Sequence, residues 1–352
     1  MQRMSQGNWY SLFMVAPHSA QPALQRQSSM NKAPGLSIII CTWNRPASLR
    51  ATLLSLNAQT TDSSHAVEVV VVDNNSTDET KNVVEDLMPA WRFGTLRYVF
   101  EPRQGKQFAL NHGIRSSTHD LLAFSDDDIL FADNWACEIV RIFADETIDL
   151  VGGKTLSPWP AAGQPVWYHP SMGAILGVVD LGDERQSPPP PGYAPAGANM
   201  VVRRRLMERI GTFSPEHFRH MDYEFGMRSV RLHATVAYEP DLLVYAPVDN
   251  ACLNKRYFRR WSFKAGIFRE SEKTAAMPAF LAVPRWVYRQ LLEDLFYLLL
   301  RSAGSSAAEN FSRELRLWRG IGKISSRWHE KLQPEKHARW VEKYAQKKKN
   351  VY

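Results

Sequence analysis

From residue 36 onward, short and almost continuous apolar runs alternate with stretches of helical spacing, and this alternation limits the possible folds more than any other feature. The runs cover residues 36–41, 67–72, 96–100 and 121–125. Between them, residues 46–59 set Leu49, Leu53 and Leu54 at helical intervals, and further helices are predicted from near Asp78 and over 106–115. Strands without a solvated face must be covered on both sides. The chain is therefore an α/β protein, with a mostly parallel sheet and helices on both faces. Right-handed crossovers bring the C-terminal ends of successive strands to one edge, where open α/β sheets hold their ligands.

Polar residues collect at that edge. Thr42-Trp43-Asn44-Arg45 follows the first strand, Asp73-Asn74-Asn75-Ser76-Thr77-Asp78 the second, Glu101-Pro102-Arg103-Gln104-Gly105-Lys106 the third and Asp126-Asp127-Asp128 the fourth. Three adjacent carboxylates repel one another and resist burial. A divalent cation offsets this, and oxygen-only ligands favour Mg²⁺ or Mn²⁺. Extended backbone would turn Asp126 and Asp128 to one side and Asp127 to the other. A solvated Asp-rich turn is the competing reading, favoured less at a strand rim. Asp73 either caps its turn through Asn74 and Ser76 or accepts hydrogen bonds from a nucleoside. Farther on, Asp222 and Glu224 stand among bulky apolar residues, suited to a general base or to an ordinary helix start with Arg228 four residues after Glu224.

Other classes are excluded. The chain has 352 residues, with 44% hydrophobic and 22% charged, which is globular rather than disordered. Cys41, Cys137 and Cys252 are too few and too scattered for a disulfide framework or a thiolate zinc site, and suit a reducing compartment. G-x-S-x-G, P-loop and C-x-x-C signatures are absent. The net charge of +7 is uneven: residues 251–352 hold 22 Lys and Arg against 9 Asp and Glu, leaving 21 against 27 elsewhere. A mildly acidic body with one basic third does not read as a nucleic-acid binder. Residues 1–34 read as a mobile N-terminal extension, too weakly apolar for a secretory signal, and no run is long enough to span a membrane. Residues 153–195, rich in proline, read as an extended flap without a packed core. Order is predicted to return at 197–203, in a helix over 221–231 and in a strand over 234–238.

Taken in order, these pieces resemble a family-2 glycosyltransferase of the GT-A fold over roughly residues 36–270. The resemblance rests on Ser37-Ile38-Ile39-Ile40-Cys41-Thr42-Trp43-Asn44-Arg45, Val70-Val71-Val72-Asp73-Asn74-Asn75-Ser76-Thr77-Asp78, Ala109-Leu110-Asn111-His112-Gly113-Ile114, Phe124-Ser125-Asp126-Asp127-Asp128, Gly197-Ala198-Asn199-Met200 and Asp222-Tyr223-Glu224. It implies a Rossmann-like catalytic domain over 35–252, followed by a basic helical region over 253–352. It further implies a nucleotide-diphospho-sugar donor and Mn²⁺ or Mg²⁺. Asp73 would contact the base, with Thr42, Asn44 and Arg45 lining its pocket and Lys106 beside the nucleotide. Asp126 would touch the ribose and, with Asp128, the metal. Asn199 would lie near the transferred sugar, Asp222 would be the base, and Glu224 would orient the site. Two departures stand out: His220-Met221 replaces the family's Gly-Glu, and Ala246 stands where many members place a His. One base opposite one leaving group implies inversion at the anomeric carbon.

In the basic C-terminal third, Val287, Leu291, Leu295 and Leu299 form one predicted helical stripe, with Tyr288, Leu292 and Phe296 beside it. A second stretch over 311–328 adds Arg313, Arg316, Arg319, Lys323, Arg327 and two tryptophans. These helices either dock on the body or form a dimer, with their basic residues solvated, or bind an anionic membrane surface, as Lys/Arg faces with Trp and Leu do. The latter suits a lipid-linked or glycan acceptor in polysaccharide or glycolipid synthesis, at the cytoplasmic face of the inner membrane. Two alternatives remain: a degenerate transferase serving as a membrane scaffold, and a sugar nucleotidyltransferase, which should carry a glycine-rich loop where Thr42-Trp43-Asn44-Arg45 stands.

Overall fold

The computed structural model describes residues 35–60, 65–217, 220–268 and 279–346; the expected extension over 1–34 lies outside them. In chain order the main elements are β1 (Leu36–Thr42), α1 (Pro46–Asn57), β2 (Val67–Asp73), α2 (Thr80–Leu87), β3 (Thr95–Phe100), α3 (Lys106–Ser116), β4 (Leu121–Asp126), β5 (Leu130–Phe131), α4 (Trp135–Phe143), β6 (Leu150–Leu156), β7 (Met200–Arg203), α5 (Arg204–Ile210), α6 (Met221–Arg231), β8 (Val236–Tyr245), α7 (Lys255–Phe268), a β9–β10 hairpin (Ala279–Phe280, Val283–Pro284), α8 (Arg285–Leu300), α9 (Ala307–Leu332) and α10 (Pro334–Gln346).

The main sheet has the order β3-β2-β1-β4-β7-β6-β8-β5. Strands β1 to β4 pair in parallel, as do β6 and β8. β7 runs antiparallel to both of its neighbours, so β6 and β8 end at the same edge as β1, β2 and β4. Every residue of β1 and β2 is buried, because alternate side chains feed two separate cores. Ile38, Ile40, Val69 and Val71 pack with Leu49, Leu53, Trp135 and Ile139 on one face; Ile39, Cys41, Val70 and Val72 pack with Leu110, Ile114 and Phe225 on the other. Each such side chain contributes about 1.5–3 kcal/mol on burial, so the uninterrupted strands are what hold the rim in place.

Several elements differ from the sequence expectation. The strand expected over 234–238 continues to Tyr245, through Pro240. The register against β6 jumps from Gly153↔Glu239 to Lys154↔Leu243, so Pro240 lies in a bulge where no ladder N–H is required. The supposed coreless flap is anchored at both ends of its first half. Its first residues belong to β6, and Tyr168, Met172 and Ile175 are buried with Phe258, Phe311 and Leu315 in a third core. Trp167 sits edge-on to both Phe258 and Phe311, with ring centroids 5.0 and 5.2 Å away.

The C-terminal helices dock on one another. A Cβ at Gly266 would lie 2.0 Å from the Arg319 carbonyl oxygen, and one at Gly322 would lie 2.1 Å from that of Phe263, so α7 and α9 touch backbone to backbone. α8 turns Val287 and Asp294 inward, where Arg313 and Arg316 meet the Asp294 carboxylate. The predicted stripe is split: Leu292, Leu295, Phe296, Leu299 and Leu300 face outward and are exposed.

Candidate active site

The three consecutive aspartates are held in three different ways, two of them sharing Arg45. Asp126, the last residue of β4, forms an ion pair with Lys106 at the start of α3. Asp127 is buried beneath the rim, where it accepts from Thr42 Oγ1 at 2.8 Å and from Arg45 Nη1 at 3.2 Å. Asp128 stays exposed and accepts from the same Arg45 Nη1 at 2.7 Å. Asp126 and Asp128 are thus the outer pair, and the central carboxylate anchors the turn. Burial raises the pKa of Asp127 and the adjacent acids add to this, while Arg45 and Thr42 oppose it. Burial disfavours the charge of Lys106, but Asp126, and more weakly Asp222, override it and raise its pKa. Arg45 is likewise held charged by Asp127 and Asp128 against its own burial. Burial pushes the Cys41 thiol far up, which removes it as a nucleophile.

The neighbouring loops are tied by their own side chains. Asp73 is buried; its Oδ1 accepts from the Ser76 N–H at 2.8 Å and its Oδ2 from the Tyr98 hydroxyl at 2.7 Å. Each oxygen of the expected base-contacting residue is therefore already engaged within the protein. Burial and this carboxylate both raise the Tyr98 pKa, so the phenol remains a donor. Asn44, at φ 50°, receives the Thr77 N–H on its side chain at 2.8 Å while its own N–H donates to Ser76 Oγ at 2.9 Å. Thr42 is buried, with its hydroxyl committed to Asp127. Thr42 and Asp73 are buried, Asn44 is exposed but tied to the loop after β2, and Arg45 and Lys106 are partly exposed.

Across the rim, Asp222 lies in the first turn of α6 and accepts the Gly197 N–H at 2.8 Å and the Tyr223 N–H at 2.9 Å. His220, just before the helix, is left-handed at φ 55°, the conformation that glycine adopts without strain. The family's Gly at this position thus has a backbone reason, and this chain meets the same turn with His. Glu224 is held by Arg228, Nε to Oε1 at 2.8 Å and Nη2 to Oε2 at 3.0 Å. Arg228 also donates to the carbonyls of Gly211 and Thr212, so Glu224 braces α6 rather than facing the rim alone. Asn199 is buried. Its amide donates to the Lys154 and Leu242 carbonyls at 3.0 and 2.7 Å, and its oxygen accepts from Trp135 Nε1 at 3.0 Å. All of these bonds are internal, so the side chain staples β6, β8 and α4 together. Sequence reading alone overlooked Tyr98, which no local pattern marks. Asp127, the middle member of the acidic run, and Arg228, four residues after Glu224, both carried a signal.

No group of three or more His, Cys, Asp or Glu side chains suited to a metal ion occurs among the described residues. Ala246 supplies only its backbone, whose N–H donates to the Leu156 carbonyl at 2.8 Å. The donor set still fits the mode in which Mg²⁺-like ions take one or two carboxylates, here Asp128 with Asp126, and complete their shell with substrate phosphates and water.

Known proteins resemble the chain in sequence and in fold. Residues 37–211 match the family model described as "Glycosyl transferase family 2". A curated relative, "Glycosyltransferase AglE" from Haloferax volcanii, is 29% identical over 185 residues, covering 52% of this chain and 57% of its own length. "Succinoglycan biosynthesis protein ExoM" from Rhizobium meliloti is 28% identical over 236 residues, covering 65% of this chain and 74% of its own. Among solved structures, the mannosyltransferase PcManGT from Pyrobaculum calidifontis, in complex with GDP-Man and Mn²⁺, superposes with a TM-score of 0.53 at 18% identity. It covers 87% of this chain and 89% of that one, a likeness of fold. The fold is of the GT-A type, and through residues 37–211 the chain belongs to glycosyl transferase family 2.

Proposed function

We propose that the chain is an inverting glycosyltransferase, which moves a sugar from a nucleotide-diphospho-sugar to an acceptor hydroxyl. The observation that carries this is Lys106, an ammonium paired with Asp126 at the end of β4 and within the field of Asp222 at the start of α6. A single cationic centre there links the side expected to hold the donor to the side expected to hold the base. Asp222, oriented by the Gly197 N–H, takes the acceptor's proton as attack proceeds. Lys106 and Arg45 present positive charge toward the diphosphate. Mn²⁺ or Mg²⁺ held by Asp128 and Asp126 would neutralise charge on the departing group. One base acting opposite one leaving group gives inversion.

The biosynthetic setting is cell-surface polysaccharide or glycolipid assembly, supported by the succinoglycan relative. No described helix is long and apolar enough to cross a membrane. The outward apolar face of α8 and the basic residues around it support peripheral attachment to an anionic cytoplasmic leaflet. The test is a thermal-shift panel of UDP-, GDP-, dTDP- and ADP-sugars with Mn²⁺, followed by donor hydrolysis. At least one donor should raise the Tm and turn over. A flat panel with no hydrolysis would return the chain to the scaffold reading.

A further inference from the structure

Beside the aspartate rim, a cleft of about 580 Å³ opens between Leu156, Trp159, Tyr168, Val178, Asp180 and Tyr245. Its place in the sheet is fixed by topology. Leu156 and Tyr245 are the last residues of β6 and β8 and are register partners. Tyr245 also pairs with Leu130, two residues beyond Asp128. Only β7 separates β6 from β4, so the cleft floor stands about 10 Å along the rim from Asp126, at the usual spacing between strands. The segment leading into β7 contains Gly197, which holds Asp222. The cleft therefore opens on the same sheet edge as the aspartate turn and the Gly197–Asp222 contact.

The walls combine aromatic surface with one carboxylate. Trp159 and Tyr168 meet edge to face at 4.6 Å, which fixes the angle between their rings. Tyr168 is backed by Phe258 of α7, and Trp167 next to it is wedged against Phe311 of α9. Val178 is pinned through the Val179–Thr155 bridge onto β6. Asp180 is exposed at the rim and paired with Lys154 at 3.3 Å. A prebuilt aromatic wall with an acidic hydrogen-bond acceptor at its mouth matches the two sides of a pyranose ring. The C–H face, of partial positive charge, meets the negative ring faces, and the hydroxyl rim meets the carboxylate.

We propose that this cleft is the acceptor-saccharide subsite, taking a pyranose ring against Trp159 and Tyr245 with its hydroxyls toward Asp180. This rests on the glycosyltransferase reading and extends it to the class of acceptor bound. The probe is a panel of methyl glycosides of glucose, galactose, mannose and N-acetylglucosamine, followed by saturation-transfer NMR on the full chain. Farnesyl phosphate is run beside them, and the nucleotide thermal shift with Mn²⁺ is measured on every variant. At least one glycoside should receive saturation at its ring C–H protons. Trp159→Ala should weaken that binding at least tenfold, Trp159→Phe should retain most of it, and Val178→Trp, which adds bulk instead of removing it, should abolish it. The nucleotide shift should be unchanged in all three. A nucleotide shift without glycoside saturation would overturn the subsite alone. So would glycoside binding indifferent to both Trp159→Ala and Val178→Trp, or farnesyl phosphate displacing no glycoside yet losing its own binding in the same variants. Absence of both the nucleotide shift and the saturation would overturn the subsite and the enzyme reading together.

Discussion

The backbone N–H of Gly197 donates to Asp222 Oδ2 at 2.8 Å, which ties the segment entering β7 to the first turn of α6. Asp222→Asn keeps the side chain's shape and an oxygen for that bond but removes the proton acceptor. Sugar transfer should fall by about 10²–10⁴-fold, the range that a general base contributes. The donor-induced thermal shift should persist. Equal loss of turnover and donor binding would place Asp222 outside the chemistry.

Arg45 joins one buried and one exposed carboxylate, and the two should respond differently. Asp128→Ala removes an exposed pair worth about 0–1 kcal/mol, so the Tm should hardly move. Mn²⁺-supported nucleotide binding should drop at least tenfold by calorimetry, with metal-free binding unchanged. Arg45→Ala instead leaves Asp127 buried with Thr42 as its remaining side-chain donor among the bonds described, at a cost of about 1–3 kcal/mol. That loss should show as a clear fall in Tm.

Glu68, buried on β2, accepts from Ser37, Thr118 and Arg97. Burial pushes its pKa up, but these donors prevail and hold it at about 2. A depressed folded-state value means stability that is fully present above the unfolded pKa and lost as pH falls through the folded one. Between about pH 4.5 and 2, wild-type unfolding free energy should decline by up to about 3 kcal/mol from this group. Glu68→Gln should be less stable at neutral pH and show a shallower acid slope in urea titrations taken at several pH values.

His220 bears a left-handed φ that costs an L-residue about 1–2 kcal/mol. Glycine relieves this but loses about 0.5–1 kcal/mol through its freer unfolded chain. His220→Gly should therefore be neutral or stabilising by up to about 1.5 kcal/mol, whereas the β-branched His220→Val should destabilise. Thermal unfolding of the pair decides it; equal Tm values would mean that the backbone is not the constraint.

Leu292, Phe296 and Leu299 lie on the open side of α8. The full chain should float with vesicles containing phosphatidylglycerol, less with neutral ones, and detach in high salt. Phe296→Asp with Leu299→Asp should abolish flotation with little change in Tm, because neither residue supports the core. Flotation indifferent to lipid charge and to these substitutions would end the membrane reading.

The strands and the acidic rim were legible because each depends on local pattern. Nearly continuous apolar runs mark β1 and β2, and a change to Thr42 in one and Asp73 in the other marks where they end. What could not be read is what depends on partners distant in sequence. Tyr98 meets Asp73 only once β3 lies beside β2, and Asn199 becomes a core staple only because β6, β8 and Trp135 converge on it. Pro240 hid the length of β8, since a bulge can be recognised only against the strand it bulges from. The stripe on α8 was visible as a period, but which side of it faces water was set by Asp294 finding Arg313 and Arg316.

The rings of Trp167, Phe258 and Phe311 interlock across three stretches of sequence that are otherwise far apart. A lineage that altered its tail would disturb the proline-rich segment too, and with it the choice of partner molecule. If the proposed subsite and membrane face hold, swapping tails between relatives should change selectivity and attachment together.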